Sequence, residues 1–221
     1  MRFRKRVGDS AAQDLRPVIY GDLPLDQWPA DAEASASPWS TFVAAREAWH
    51  QGEREAAIAA WAGLAHDYKL ESRHNLQAWH FLRMAGVLPS GDESAQVFGV
   101  IAEVSVGGGH DVLAAYSDGT ARYLNHAGGI VVVDDTSLEN LAEAIHSWLG
   151  VGERLAPVVG AWEEPTLPPL PRGHTRILML TPGGFRFGQG PDDQLRAEPA
   201  AAAFLDAATH LLVAVTRAAA K

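Results

Sequence analysis

The sequence contains no cysteine, which excludes disulfides, thiolate metal sites and thiol catalysis together. It has no unbroken run of about 18 apolar residues, so no segment is expected to span a membrane. Basic residues are the minority: 18 Lys and Arg stand against 27 Asp and Glu, for a net charge of −9. A chain this acidic has no overall attraction for nucleic acid or anionic lipid. Its one basic segment, Arg2, Arg4, Lys5 and Arg6, is followed by Val7-Gly8-Asp9-Ser10 and not by an apolar stretch. That reads as a charged tail, with no export signal and the cytoplasm as the expected compartment.

Several catalytic signatures are also missing. There is no Gly-x-Ser-x-Gly elbow. The triplet Gly107-Gly108-Gly109 joins two expected strands and opens no helix, so it lacks the helix N-terminus that holds a phosphate. Thr181-Pro182-Gly183-Gly184 and Gly188-Gln189-Gly190-Pro191 are turn chemistry. No nucleotide and no cofactor is expected. Aromatic residues are not interleaved with Lys and Arg, so no nucleic-acid platform is expected either.

Hydrophobic residues make up 47% and charged residues 20%, which suits a globular chain with a core. Three regions follow from composition and periodicity. Residues 1–37, with Pro17, Pro24 and Pro29, read as an irregular arm in which Val18-Ile19-Tyr20 either adds an edge strand or lies on the core. Residues 38–90 read as a helical module: segments at 39–49, 53–67 and 72–85 each carry apolar residues at helical spacing, and Gly52 and Gly86 break them. Residues 91–221 read as an α+β domain packed with the helices as one unit. Its core is a β-meander with strands at 97–106, 110–117, 121–125 and 130–134, separated by glycine turns. A helix capped by Thr136 and Glu139 follows, with Leu138, Leu141, Ile145, Trp148 and Leu149 as its buried stripe. After a proline-rich linker at 163–172 comes a hairpin, 176–181 with 185–189, and a last helix over roughly 200–219. The fold class is α+β: a helical module, then a mostly antiparallel sheet of about six strands covered on one face by two helices.

Ala45, Gly52 at a turn, Ala57 and Trp61 fall at the spacing of one helix pair that resembles a tetratricopeptide-type repeat, from which Leu64 departs. The resemblance implies a helical packing or peptide-binding surface. The order of strands and helices is similar to profilin-like folds such as the roadblock and longin families, which implies protein–protein contacts by analogy. The stretches at 111–128 (DVLAAYSDGTARYLNHAG) and 180–191 (LTPGGFRFGQGP) resemble an uncharacterised bacterial family without assigned activity, and that resemblance implies no chemistry.

Two constellations could carry chemistry. If Asp118-Gly119 forms a two-residue turn, counting outward pairs Ala115 with Arg122, Leu113 with Leu124, and Asp111 with His126. Asp111, His126 and Arg122 then share one face, and an Asp beside a His is how an imidazole is oriented for acid–base work. The opposite face would hold Val112, Ala114, Tyr116, Ala121, Tyr123 and Asn125. The alternative for Asp111 and His126 is a surface pair contributing under ~1 kcal/mol. Separately, Glu47 with His50 and Glu71 with His74 form two Glu-x-x-His motifs, half of a di-iron carboxylate site whose two further carboxylates are not evident. No metal is therefore expected. The expected function is a non-catalytic interaction or adaptor role, with a protein partner or self-association. The alternative is a small-molecule hydrolase or lyase centred on Asp111, His126 and Arg122.

Overall fold

The computed structural model describes residues 2–4, 16–31, 35–134, 139–164 and 167–219. The expected six strands form one open antiparallel sheet: β2 (Gly99–Val106), β3 (Gly109–Tyr116), β4 (Ala121–Leu124), β5 (Ile130–Val133), β6 (His174–Thr181) and β7 (Gly184–Pro191). A short strand, β1 (Arg2–Arg4), pairs antiparallel with β5 and completes the order β1-β5-β4-β3-β2-β6-β7. The meander therefore runs outward from β2, and the second hairpin attaches to the other side of β2.

Both faces of the sheet are covered, where cover on one face was expected. Alternate residues Val100, Ala102, Leu113, Ala115, Ile177 and Met179 pack under α6 (Glu139–Leu155) and α8 (Pro199–Ala219). Ile101, Val112, Ala114, Tyr116, Leu178 and Leu180 face the other way, against Ile19 and Tyr20 of α1 (Arg16–Tyr20) and Leu76 of α4 (Ser72–Met84). This is the period of two that a pleated strand imposes. Val18-Ile19-Tyr20 is thus helical and lies on the core. Thr136 and Leu138, two of the expected capping and stripe residues, lie outside the described residues, as does the side chain of Glu139.

Close approach decides one position on α6. A Cβ on Gly152 would meet Val100 Cγ1 at 2.4 Å. Gly152→Ala is therefore expected to cost about 1–3 kcal/mol through overpacking, read as a lower urea midpoint with unchanged slope; an unchanged midpoint would mean that α6 can lift from the sheet freely.

The helical module is α2 (Trp39–His50), α3 (Arg54–Ala65) and α4, packed around Phe42, Trp61, Phe81 and Trp79. Gly52 takes φ +85° in the turn between α2 and α3, and Ala45, Ala57 and Trp61 are buried where the pair closes. Two short helices, α5 (Gly91–Ala95) and α7 (Asp192–Ala197), were not expected. The module joins the sheet at the β3–β4 loop: Asp118 Oδ2 accepts from the Ser72 amide at 2.6 Å, and the Ser72 and Ser117 hydroxyls lie 2.9 Å apart.

That docking accompanies a correction. The Tyr116 amide donates to Thr120 O and the Gly119 amide to Tyr116 O, so the loop holds three residues, with Gly119 at φ +83°. It is a turn closed by a left-handed glycine and not the expected two-residue turn. Ala115 consequently pairs with Ala121, Ala114 with Arg122 and Leu113 with Tyr123. A shift of one residue turns every β4 side chain to the opposite face. Arg122 is therefore on the face opposite Asp111, and Tyr116 and Tyr123 do not share a face.

Candidate functional site

Asp111, near the start of β3, points to the face covered by α8. Its Oδ1 accepts the His126 backbone amide at 2.7 Å and lies 2.8 Å from His126 Nδ1; its Oδ2 accepts the Tyr123 hydroxyl at 2.7 Å. Asp111 and His126 thus meet as the sequence suggests, although the strand register differs. The contact survives because His126 belongs to the turn after β4, where Asn125 Oδ1 accepts from the Ala127 and Gly129 amides and folds the chain back. Burial and the Asp111 carboxylate both push the Tyr123 hydroxyl well above its ordinary range, so it stays a donor.

Beside the pair lies a half-open cleft of about 70 Å³, walled by Leu113, Leu205, Ala208 and Leu212 and reached by Asp111, Tyr123 and Arg196. It has room for about two water molecules. The His126 side chain is 44% exposed and does not line it. Both Asp111 oxygens are engaged in holding the turn and Tyr123, so the carboxylate does the work of a staple. His126 is held through Nδ1, which leaves Nε2 outside that contact.

Arg122 instead joins a cluster on the other face. Its guanidinium contacts Glu71 at 3.1 Å and Asp134 at 2.8 Å, and donates to Ala121 O and Val133 O. Arg73 binds the same Glu71 at 2.6 Å. The four motif residues considered for metal are dispersed: Glu47 is exposed, His50 pairs with Asp26, Glu71 serves the two arginines, and His74 is buried. Among the described residues no group of three or more His, Asp and Glu converges to hold a metal. His74 sits against Trp39, ring centroids 4.7 Å apart, and neither ring nitrogen has a hydrogen-bond partner among the described residues. Burial, reinforced by Arg73, pushes its pKa down to about 4.

The most buried charges among the described residues were not anticipated. Glu103 and Arg176, both fully buried on β2 and β6, pair at 2.9 Å. Tyr20 donates to Glu103 at 3.1 Å, Arg16 of α1 reaches its other oxygen, and Gln189 of β7 accepts from Arg176 at 2.8 Å. Burial and the Glu103 charge push the Tyr20 hydroxyl upward and keep it protonated. The signal in the sequence is parity: Glu103 shares the inward face of β2 with Ile101, which marks a carboxylate needing a buried cation.

The described part of α8 is also long and apolar enough, by length and composition, to cross a membrane. Looking for unbroken apolar runs misses it because Asp206, Thr209 and His210 interrupt the pattern. A third of that stretch is buried, including Phe204, Leu205, Leu211 and Val215 in the sheet's core. Ala203, Asp206, His210, Val213 and Arg217 face outward. No family model, curated protein or solved structure matches the chain, so the meaning of these features rests on their own geometry.

Proposed function

We propose that the chain is a non-catalytic protein–protein interaction protein whose contact surface is the outer face of α8. The observation that carries this reading is that face itself: it is exposed along its length and sets Ala203 and Val213 among polar residues, with opposite charges at Asp206 and Arg217. Val213, 38% exposed, stands in its C-terminal half. The outer face of α6 beside it is more densely charged, with Glu143, His146, Glu153 and Arg154 exposed. The tetratricopeptide-like helix pair and the profilin-like element order favour the same class of function. The cytoplasm remains the proposed compartment.

The alternative, a small-molecule hydrolase or lyase, is favoured by the Asp111–His126 contact alone. The adjacent cleft of about 70 Å³ is well below the roughly 300 Å³ at which small-molecule sites begin, and Arg122 is not beside the pair. Two variants separate the readings. Asp111→Ala is expected to lower stability by about 1–3 kcal/mol, from three lost hydrogen bonds, while His126→Ala costs under ~1 kcal/mol. Neither is expected to change turnover against a panel of ester, amide and phosphate substrates. Wild-type turnover that His126→Ala abolishes would replace the interaction reading with the catalytic one.

A further inference from the structure

We propose that α8 binds a second copy of this chain, the two helices pairing antiparallel through Ala203, Asp206, His210, Val213 and Arg217. This rests on the interaction reading and names its partner. The five residues are exposed and recur at intervals of three, four, three and four, the spacing that lines side chains along one helix face.

Charge selects both the partner and the direction. Place a twofold axis on the outer face, level with the midpoint between Leu211 and Leu212. Antiparallel pairing then sets Asp206 opposite Arg217 of the partner subunit and His210 opposite Val213 of the partner subunit. The Asp–Arg contact forms twice, once on each side of the axis, and each imidazole meets an isopropyl group. Parallel pairing would set Asp206 against its own copy and Arg217 against its own copy, two like-charge contacts. The stripe is therefore complementary to itself in one orientation only.

Asp206 is available for this. Its contact within the chain is Arg196 at 3.8 Å, with both side chains more than half exposed, a pair that contributes little. Arg217 has no ion-pair partner among the described residues. The flanks tolerate loss of water. Thr209 Oγ1 donates to Leu205 O and Thr216 Oγ1 to Leu212 O, each at 2.8 Å. Their hydroxyls are thus satisfied within the helix, and docking orphans no donor there. The exposed charges of α6 supply the polar rim that surrounds such a contact.

Sedimentation equilibrium of the full chain tests the proposal with Val213→Glu, Asp206→Arg, Arg217→Asp and the double variant Asp206→Arg with Arg217→Asp. Circular dichroism checks that each remains folded, as expected for exposed positions. The wild type is expected to form a two-chain species. Val213→Glu should weaken it at least about tenfold, the loss given by ~1.4 kcal/mol. Each single charge reversal should weaken it, and the double variant should recover affinity to within about threefold, because the swap restores both opposite-charge contacts. A wild type that is single-chain at all concentrations overturns the proposal. So does a dimer indifferent to these variants, which leaves the interaction reading standing on another surface. A single-chain wild type that floats with phosphatidylcholine vesicles overturns it in favour of a lipid surface. The substrate panel fails or succeeds independently of all these results.

Discussion

Replacing Glu103 with alanine is expected to destabilise the protein by about 3–5 kcal/mol, the largest effect of any single substitution considered for it. The reason is what remains. Arg176 is fully buried, and Arg16 and Tyr20 converge on the same carboxylate. Removing the anion leaves an uncompensated guanidinium in the sheet's core and frees α1 from its anchor. Gln189 and the Pro168 carbonyl still accept from Arg176, but neither carries charge. Glu103→Gln should lose less, because it keeps the shape and an acceptor. Replacing the pair together, Glu103→Leu with Arg176→Met, should recover most of the loss, since a buried ion pair exchanged for apolar volume is often neutral. Urea unfolding of the four proteins measures this. A loss below ~1 kcal/mol for Glu103→Ala would mean that water reaches Arg176 and that the network does not anchor the N-terminal helix.

His74→Phe is expected to remove much of the protein's sensitivity to mild acid. The folded chain holds His74 down to about 4, against an ordinary 6.5, because it is buried beside Trp39 and near Arg73. A histidine with a lowered folded pKa contributes stability that is present above 6.5 and is lost as pH falls through about 4. At one pKa unit per ~1.4 kcal/mol, the loss is about 3 kcal/mol. His80, also pushed down to about 4 by burial and by Arg83, acts in the same window and the same direction. Asp22 opposes both: burial pushes it up to about 7, so its contribution is present below 3.8 and is lost as pH rises through about 7. Two histidines against one carboxyl leave a net fall in stability with acid. Phenylalanine keeps an aromatic ring among Trp28 and Trp39 and leaves no polar atom unpaired, so at neutral pH the variant should be about as stable as the wild type. Thermal midpoints between pH 7 and pH 4 should fall less steeply for the variant. Parallel curves for the two proteins would contradict this.

The sheet was legible in the sequence because alternation and glycine turns mark its strands, and the three longer helices of the module were legible because their apolar periodicity is sustained. What escaped has specific causes. The helices Gly91–Ala95 and Asp192–Ala197 are too short to show a period. The β3–β4 register depends on one residue of loop length, and the Asp118 side chain, which docks Ser72 of a distant helix, is part of that loop. Local turn preference holds no record of such a contact, and the error moved Arg122 to the wrong face. Asp111 and His126 were nevertheless legible as a contact, because the turn carrying His126 folds onto Asp111 irrespective of the ladder. Glu103 and Arg176 are 73 residues apart and meet only because β6 returns to the side of β2 that the meander leaves open. The outer face of α8 was hidden by its inner face, whose stripe of Phe204, Leu211 and Val215 already accounts for the helix.

The most direct test of self-association through α8 uses the absence of cysteine. A single cysteine introduced as His210→Cys, or separately as Ala203→Cys, gives a unique site for a spin label. Antiparallel pairing about the midpoint between Leu211 and Leu212 brings two labels at position 210 close together. It separates two labels at position 203 by about 25 Å along the helices, at 1.5 Å per residue. Interchain distances that are short for the first protein and longer by roughly 20 Å for the second are the expected result. Equal distances at the two positions, or no interchain coupling at either, would contradict it.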